Sequence, residues 1–203
     1  MTSPSDRSTA AAAALSAEGL AARLARGSAA IFPTDTLPAL AAVPEAAAEL
    51  WRLKRRPADK PLILMGADLA QLREALQVSW HPAWLEQARL CWPGAVTLVL
   101  PIQGPFTEAL HPGGTSLGLR VPACDAARRL LRRSGPLATT SANISGEPPV
   151  RDPQEAPALF PGVPLLGPLP WQPGSGQAST VIAWQSLNQR WQLLRPGAEP
   201  PPR

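Results

Sequence analysis

The order of apolar and polar residues divides the chain into short helices and short strands. After Ser16, apolar residues recur at helical spacing until Gly27, a residue typical of the position just past a helix end. Short apolar runs bounded by Pro or Gly predict buried strands instead. The predicted helices cover residues 16–27, 45–54, 69–76, 82–90 and 125–133, and the predicted strands cover residues 29–32, 61–65, 96–100, 116–121 and 137–140.

The C-terminal third of the chain has a different pattern. Residues 147–173 are rich in Pro and predict a loop around one short helix, and residues 180–184 and 190–194 predict a hairpin. Helices and strands mixed in this way are typical of an α/β domain. We therefore expect three parts in the chain, which are a flexible lead-in over residues 1–15, one folded domain over residues 16–197 and a disordered tail over residues 198–203.

Composition excludes several classes of protein. With 26 Pro and 15 Gly among 203 residues, the chain can form neither a coiled coil nor a bundle of long helices. Cys91 and Cys124 have no Cys-x-x-Cys spacing, which excludes a disulfide scaffold and favours a reducing, cytoplasmic setting. His81 and His111 lack the spacing of metal ligands, so we predict no metal site formed by protein side chains. No apolar run reaches the roughly 18 residues of a membrane span, and we expect no membrane association.

Positive charge points to anionic ligands without identifying one. Nineteen Lys and Arg against 15 Asp and Glu give a net charge of +4. A basic stripe lies on the helix predicted over residues 125–133 and consists of Arg128, Arg129, Arg132 and Arg133. Such a stripe is typical of a solvated helix face, and the alternative is a contact with an RNA backbone.

Two segments carry the residue types of an anion-binding site. Lys54-Arg-Arg-Pro-Ala-Asp-Lys-Pro61 places four cations where a helix ends and a Pro turn leads into a strand. Thr139-Thr-Ser-Ala-Asn-Ile-Ser-Gly146 places four hydroxyls and an Asn after a strand, as phosphate-binding loops do. Each pattern is also common in proteins without such a site, because cations stabilise any helix C-terminus and Ser, Thr and Asn are frequent in turns.

Seven short motifs occur in a fixed order along the chain. They are Phe32-Pro-Thr-Asp-Thr36, Lys54-x-Arg56-Pro57 with Lys60-Pro61, Trp92-Pro-Gly-Ala-Val-Thr97, Leu119-Arg-Val-Pro122, Ser141-Ala-Asn-x-Ser-Gly146, Ser179-Thr-Val181 and Leu194-Arg-Pro-Gly197. In order and spacing, they resemble the YrdC-like threonylcarbamoyl-AMP synthase family over residues 16–197. The resemblance implies a short, single-domain member with an α/β fold, in which a twisted mixed sheet flanked by helices surrounds a positively charged cavity.

The resemblance also implies a reaction. L-threonine, bicarbonate and ATP with Mg²⁺ give threonylcarbamoyl-adenylate and pyrophosphate, and partner proteins use the adenylate for the t6A modification of tRNA. Two anions must meet, so cations have to offset their repulsion. The implied catalytic residues are Lys54 and Arg56, the implied ATP-binding residues are Arg56, Lys60, Ser141, Asn143 and Arg195, and the implied threonine-binding residues are Thr34, Thr36, Arg120 and Thr139.

The chain departs from the family pattern near the implied threonine pocket. Members commonly read Pro-Thr-(Asp/Glu)-Thr-Val-Tyr-Gly-Leu-Gly, whereas this chain has Leu37-Pro-Ala-Leu-Ala41 after its two threonines. Met65 stands where many members have His, and Pro149 stands where Ser is frequent. The alternative function is therefore that of a divergent paralogue, which binds double-stranded RNA or tRNA and has no synthase activity.

Overall fold

Ten strands belong to one sheet in the computed structural model, which describes residues 14–57 and 60–201. They are β1 (Ala14–Leu15), β2 (Ala30–Phe32), β3 (Ala39–Ala42), β4 (Ile63–Met65), β5 (Val96–Leu100), β6 (Leu117–Arg120), β7 (Leu137–Ser141), β8 (Leu165–Leu166), β9 (Thr180–Gln185) and β10 (Arg190–Arg195). The order across the sheet is β1-β8-β2-β3-β7-β4-β6-β5-β9-β10. Pairing is mixed, because β4 lies parallel to β6 and antiparallel to β7. The predicted α/β fold with a mixed sheet is confirmed.

Short helices connect the strands. They are α1 (Ala17–Leu24), α2 (Ala47–Lys54), α3 (Leu69–Leu76), α4 (Pro82–Cys91), α5 (Pro105–Leu110), α6 (Asp125–Ser134) and α7 (Ala156–Leu159), and single 3₁₀ turns cover Pro44–Ala46 and Pro153–Glu155. Side-chain caps begin three of them, since Ser16 accepts a hydrogen bond from the Gly19 amide, Asp68 accepts one from the Gln71 amide and His81 accepts one from the Ala83 amide. No helix in the described ranges is long and apolar enough to cross a membrane.

Both faces of the sheet are buried. Neighbouring residues of β2 point to opposite sides, so that Ile31 packs in one apolar cluster and Phe32 in the other. The first cluster includes side chains of α2 and α4, and the second includes side chains of α1 and α6. The second cluster contains no side chain from β5, β6 or β9, so on that side these strands are left open to form a site.

Four elements lie where the apolar pattern predicts none, namely β1, β3, β8 and α5. β3 is the clearest case, because all four of its residues are buried, at most 4% exposed, and no polar alternation marks it as a strand. β1 and β8 have two residues each and depend on parallel pairing with each other. Such short strands carry no periodicity of their own.

Both predicted chain ends are shorter than expected. Ala14 and Leu15 belong to β1, so the described chain is already paired before residue 16, and the rest of the lead-in lies outside the described residues. At the other end, the Ala198 amide donates to the Ala178 carbonyl at 2.9 Å. The segment after β10 is therefore held against the sheet, and the predicted tail does not begin at residue 198.

Candidate functional site

A cavity of about 440 Å³ lies where β3, β4, β5, β6, β7, β9 and β10 contribute to one wall. Three arginines line it, and no Asp or Glu is among the described residues of its wall. Of the residues predicted for the site, it brings together Thr34, Thr36, Arg56, Arg120, Thr139, Ser141 and Arg195. Lys54, Lys60 and Asn143 do not line it.

Arg120 is held rigidly at one end of the cavity. Its side chain is almost completely buried, with only 3% exposed. Nη2 forms an ion pair with Asp35 Oδ1 at 2.8 Å, Nη1 donates to Thr36 Oγ1 at 2.8 Å, and Nε donates to the Gly94 carbonyl at 3.1 Å. Burial lowers the pKa of Arg120, while the Asp35 carboxylate opposes this shift and favours the charged form. The guanidinium is thereby a fixed cation in the cavity wall.

The two threonines beside Arg120 form a hydrogen-bonded turn. Thr34 Oγ1 donates to the Leu37 carbonyl at 2.7 Å and accepts from the Thr36 amide at 3.1 Å. The two hydroxyls lie 3.0 Å apart. Both side chains are 3% exposed, so their orientation is set by the protein before any ligand arrives.

The segment that departs from the family pattern adopts ordinary backbone conformations. Ala39, Leu40 and Ala41 belong to β3, and no residue from 37 to 41 has a positive φ. Ala therefore replaces Gly at position 41 without backbone strain. The Pro38 carbonyl also accepts a hydrogen bond from the Ala142 amide at 2.9 Å, which ties this segment to the loop after β7.

Gly174 packs directly on the threonine turn. A Cβ atom at this position would lie 2.3 Å from the Thr36 carbonyl oxygen and 2.7 Å from the Thr34 carbonyl oxygen. The next residue continues the contact, because the Ser175 amide donates to the Asp35 carbonyl at 2.9 Å. No side chain fits between these backbones without moving the turn.

The family resemblance implies that this turn binds threonine, so we expect Gly174→Ala to damage the use of threonine selectively. The added methyl displaces the turn that carries Thr34 and Thr36, and a displacement of about 1 Å can cost roughly 100-fold in rate. Steady-state pyrophosphate release should show kcat/KM for threonine lowered about 10- to 100-fold, with the KM for ATP unchanged. Gly19→Ala is the matched control, because a Cβ there meets only atoms at 3.6 Å or beyond. A threonine kcat/KM equal to that of the wild type in Gly174→Ala would contradict the expectation.

Lys54 lies behind the cavity wall and holds the loop after β7. Its side chain is 2% exposed, and Nζ donates to the Ser141 carbonyl at 2.6 Å, to the Asn143 carbonyl at 2.8 Å and to Asn143 Oδ1 at 2.7 Å. An ammonium group has three donors, so all of them are used. Burial and, to a smaller extent, Arg56 lower the pKa of Lys54 to about 8. These bonds hold Lys54 against Ser141 and Asn143 and outside the cavity wall, and its implied catalytic role stays a prediction.

Asn143 also acts within the loop. Its Oδ1 accepts from Ser141 Oγ at 2.6 Å, and its Nδ2 donates to the carbonyls of Ile144 at 2.8 Å and Glu147 at 2.9 Å. The Asn143 side chain therefore fixes the loop. Ser141 and Asn143 are both implied to bind ATP, but only Ser141 lines the cavity. Lys60 is exposed and does not line the cavity either.

Arg56 reaches the cavity from the end of α2. The helix ends at Arg55, whose left-handed conformation with φ of +50° changes the direction of the chain. Arg56 lines the cavity, whereas Lys54 does not. Arg56 Nη1 donates to Thr140 Oγ1 at 3.3 Å, and Nη2 donates to the Pro61 carbonyl at 3.1 Å. These contacts place its guanidinium beside β7.

Arg195 closes the wall from β10. Its Nη2 donates to the Ser179 carbonyl at 2.8 Å, and Ser179 Oγ lies 2.9 Å from Thr97 Oγ1. Burial lowers the pKa of Arg195. Gly197 allows this arrangement, because a Cβ there would lie 2.3 Å from the Ala178 carbonyl oxygen.

Sequence reasoning missed several residues of this site, namely Asp35, Thr97, Gly174 and Ser179. Three of them lie inside motifs that were recognised, but the motifs alone assign them no role. Thr97 and Ser179 meet across 82 positions of sequence, and Asp35 meets Arg120 across 85. No pattern of neighbouring residues indicates such contacts, and only the match of whole motifs to a family could have suggested them.

The basic stripe of α6 does not reach the cavity. None of its four arginines lines the cavity wall. Arg133 forms an ion pair with Glu18 of α1 at 2.5 Å, and Arg128 Nε donates to the Ala67 carbonyl at 2.9 Å. These two side chains bond within the protein, and a contact of the stripe with an RNA backbone stays a prediction. Within residues 14–57 and 60–201, no group of three or more His, Cys, Asp or Glu side chains is placed to hold a metal ion.

Comparison with known proteins gives close relatives. The Sua5/YciO/YrdC family model, described as "Telomere recombination", matches residues 22–197. A threonylcarbamoyl-AMP synthase of Stenotrophomonas maltophilia is 38% identical over 147 residues, which cover 70% of this chain and 78% of that protein. A threonylcarbamoyl-AMP synthase of Bacillus subtilis is 35% identical over 178 residues, which cover 82% of this chain and 49% of that protein.

Solved structures agree with these relatives. P. abyssi Sua5 complexed with L-threonine has a TM-score of 0.78 and 31% identity, and the match covers 89% of this chain and 54% of that chain. E. coli YciO has a TM-score of 0.74 and 23% identity, with 89% of this chain and 88% of that chain covered. The chain spans about half the length of Sua5 and of the Bacillus relative. With the family model matching most of its length, the chain belongs to the Sua5/YciO/YrdC family.

Proposed function

We propose that this protein is a threonylcarbamoyl-AMP synthase, which converts L-threonine, bicarbonate and ATP into threonylcarbamoyl-adenylate and pyrophosphate. The observation that carries the proposal is one cavity with three guanidinium groups and a row of hydroxyls, from Arg56, Arg120, Arg195, Thr34, Thr36, Thr139 and Ser141. The names of the relatives and the L-threonine in the Sua5 structure support the same activity.

The proposed chemistry needs positioning and charge, and no nucleophile from the protein. The threonine nitrogen attacks the carbon of bicarbonate, water leaves, and a carbamate forms. A carbamate oxygen then attacks the α-phosphorus of ATP, and the bond from this phosphorus to the bridging oxygen breaks to release pyrophosphate. Both reactants are anions, so fixed cations in a site that excludes water lower the barrier.

We assign the side chains to the two substrates from the family resemblance. Arg120 and the turn of Thr34 and Thr36 form the end that takes threonine, with Arg120 facing its carboxylate and Thr139 beside it. Arg56, Ser141 and Arg195 take the phosphates, because guanidinium groups form strong charge-assisted hydrogen bonds with phosphate oxygens. Lys54 and Asn143 support this end from behind, through the loop after β7. Lys60 remains a predicted contact of the nucleotide.

Mg²⁺ enters this reaction as the counterion of the triphosphate. It prefers carboxylate, phosphate and water oxygens, and the described wall of the cavity carries no carboxylate.

The adenylate is a mixed anhydride that must be used quickly, so a partner that transfers threonylcarbamoyl to tRNA completes the proposal. The cysteine pattern is typical of a reducing setting and supports the cytoplasm as the location of the proposed reaction.

The direct test is pyrophosphate release by the purified protein with MgATP and bicarbonate, measured with and without L-threonine. We expect release only when all three substrates are present, and L-valine, which replaces the threonine hydroxyl by a methyl group, should be a poor substitute. ATP binding without threonine-dependent release would overturn the proposal. Release that is independent of threonine would overturn it as well, since that would be plain ATP hydrolysis.

A further inference from the structure

His111 is a titratable residue of the cavity wall that the proposed reaction does not use. It follows α5 directly and is half-buried, and its side chain lines the cavity together with that of Arg56. The only other histidine, His81, lies at the start of α4 and is not part of this wall. The cavity therefore contains one imidazole with no role assigned to it.

The tautomer of the His111 ring follows from its contact with Ser116. Nδ1 lies 3.1 Å from the Ser116 carbonyl oxygen. A carbonyl oxygen can only accept, so Nδ1 carries the hydrogen and donates. In the neutral ring, Nε2 is then an acceptor, which takes a hydrogen bond from an N–H or O–H group.

Gly114 fixes the place of this ring. A Cβ atom at Gly114 would lie 2.2 Å from Nδ1 of His111 and 2.4 Å from both Cε1 and Cγ. The Gly114 amide also donates to the His111 carbonyl at 2.8 Å, which closes the turn. Only a residue without a side chain leaves room for the imidazole here, so the ring position is built into the turn.

His111 lies on the Arg56 side of the cavity. The Leu62 amide donates to the carbonyl of Leu110, the residue before His111, at 2.8 Å. The residue before Leu62 is Pro61, whose carbonyl accepts from Arg56 Nη2 at 3.1 Å. Arg120, by contrast, ends β6, three residues beyond its start at Leu117. The imidazole thus belongs to the nucleotide end and not to the threonine end.

We propose that His111 contacts the nucleoside half of ATP through Nε2, an inference that rests on the proposed function. The phosphates offer only acceptors, whereas the adenine amino group and the ribose hydroxyls are N–H and O–H donors that suit a neutral imidazole acceptor. The wall beside the ring is apolar, with Leu62, Val99 and Gly118, and this surface fits a flat base.

The test measures MgATP affinity by calorimetry in three variants. His111→Ala should weaken binding about 10-fold, since a buried hydrogen bond is lost. Gly114→Ala should weaken it as well, although the histidine is still present, because the added Cβ displaces the ring. His81→Ala is the matched control and should bind like the wild type. The KM for threonine should be unchanged in all three, which separates this role from general damage to the cavity.

Nucleotide analogues identify the donor. Inosine triphosphate replaces the adenine amino group by a carbonyl, and 2′-deoxy-ATP lacks one ribose hydroxyl. Wild-type protein should lose about 10-fold in affinity for the analogue that lacks the donor, and His111→Ala should bind that analogue as well as it binds ATP. MgATP affinity in His111→Ala equal to that of the wild type, or an equal loss for threonine, overturns the proposal. A wild-type protein that binds no MgATP overturns the proposed function instead.

Discussion

Arg56→Ala should lower the turnover of threonine-dependent pyrophosphate release about 100- to 1000-fold, and the protein should stay folded. Arg56 lies between β7 and the turn at Pro61, at the end of the cavity that we propose takes the nucleotide. Its loss removes a preorganised positive charge from the place where negative charge concentrates in the reaction. Arg56 is only half-buried, so we expect the fold to tolerate the loss of its side chain.

Arg52→Ala is the control for this result. Arg52 lies on α2, the helix that Arg56 follows, its side chain is 68% exposed, and it pairs with Glu49 on the surface. Exposed ion pairs contribute little to stability, so this variant should keep both turnover and fold. Circular dichroism and initial rates of pyrophosphate release are sufficient measurements. If Arg56→Ala turns over like the wild type, Arg56 has no role at the phosphates.

Lys54→Met has the second large effect, and it acts on the loop after β7. Methionine fills a similar volume but leaves the Ser141 carbonyl, the Asn143 carbonyl and Asn143 Oδ1 without the donor that now bonds all three. Buried acceptors without partners are costly, so the free energy of unfolding should fall by about 2 kcal/mol. Because Ser141, at the end of β7 beside this loop, lines the cavity, affinity for MgATP should fall about 100-fold. Urea unfolding and calorimetry measure the two effects.

Lys60→Met tests whether the effects of Lys54→Met depend on the place of the lysine or only on the loss of one positive charge. Lys60 is the only other lysine of the chain and is exposed, so its replacement should leave the free energy of unfolding unchanged. A drop in ATP affinity in this variant alone would mean direct contact with the nucleotide, as the family resemblance implies. Equal stability of Lys54→Met and the wild type would remove the positioning role of Lys54.

Elements with a local signal were predicted correctly. α3 covers Leu69–Leu76 as expected, because Asp68 caps its first turn and apolar residues follow at helical spacing. β5 covers Val96–Leu100 as expected, because five β-branched or apolar residues stand between a glycine-containing turn and a proline. Both features act within a few residues, so a window of sequence contains the whole physical cause.

The cavity itself could be predicted only through the resemblance. Seven of the ten predicted site residues line it, among them Thr34, Arg120 and Arg195. Lys54 and Asn143 have polar groups of the kind that bind a nucleotide, but in the structure these groups form a hydrogen bond with each other. A sequence motif records that a lysine is needed at a position and does not record whether it binds the ligand or the loop beside the ligand.

The sequence by itself determined the short helices with their caps, the central strands and the family, since these follow from neighbouring residues and from motifs in order. Only the tertiary structure decided which polar side chains face the cavity. Arg120 meets Asp35 across 85 positions, and Lys54 meets Asn143 across 89. β3 and the pair of β1 and β8 likewise exist through partners distant in the chain. The physical reason is the same in each case: hydrogen bonds and burial depend on distance in space, and a chain that crosses a ten-stranded sheet out of order makes that distance independent of sequence separation.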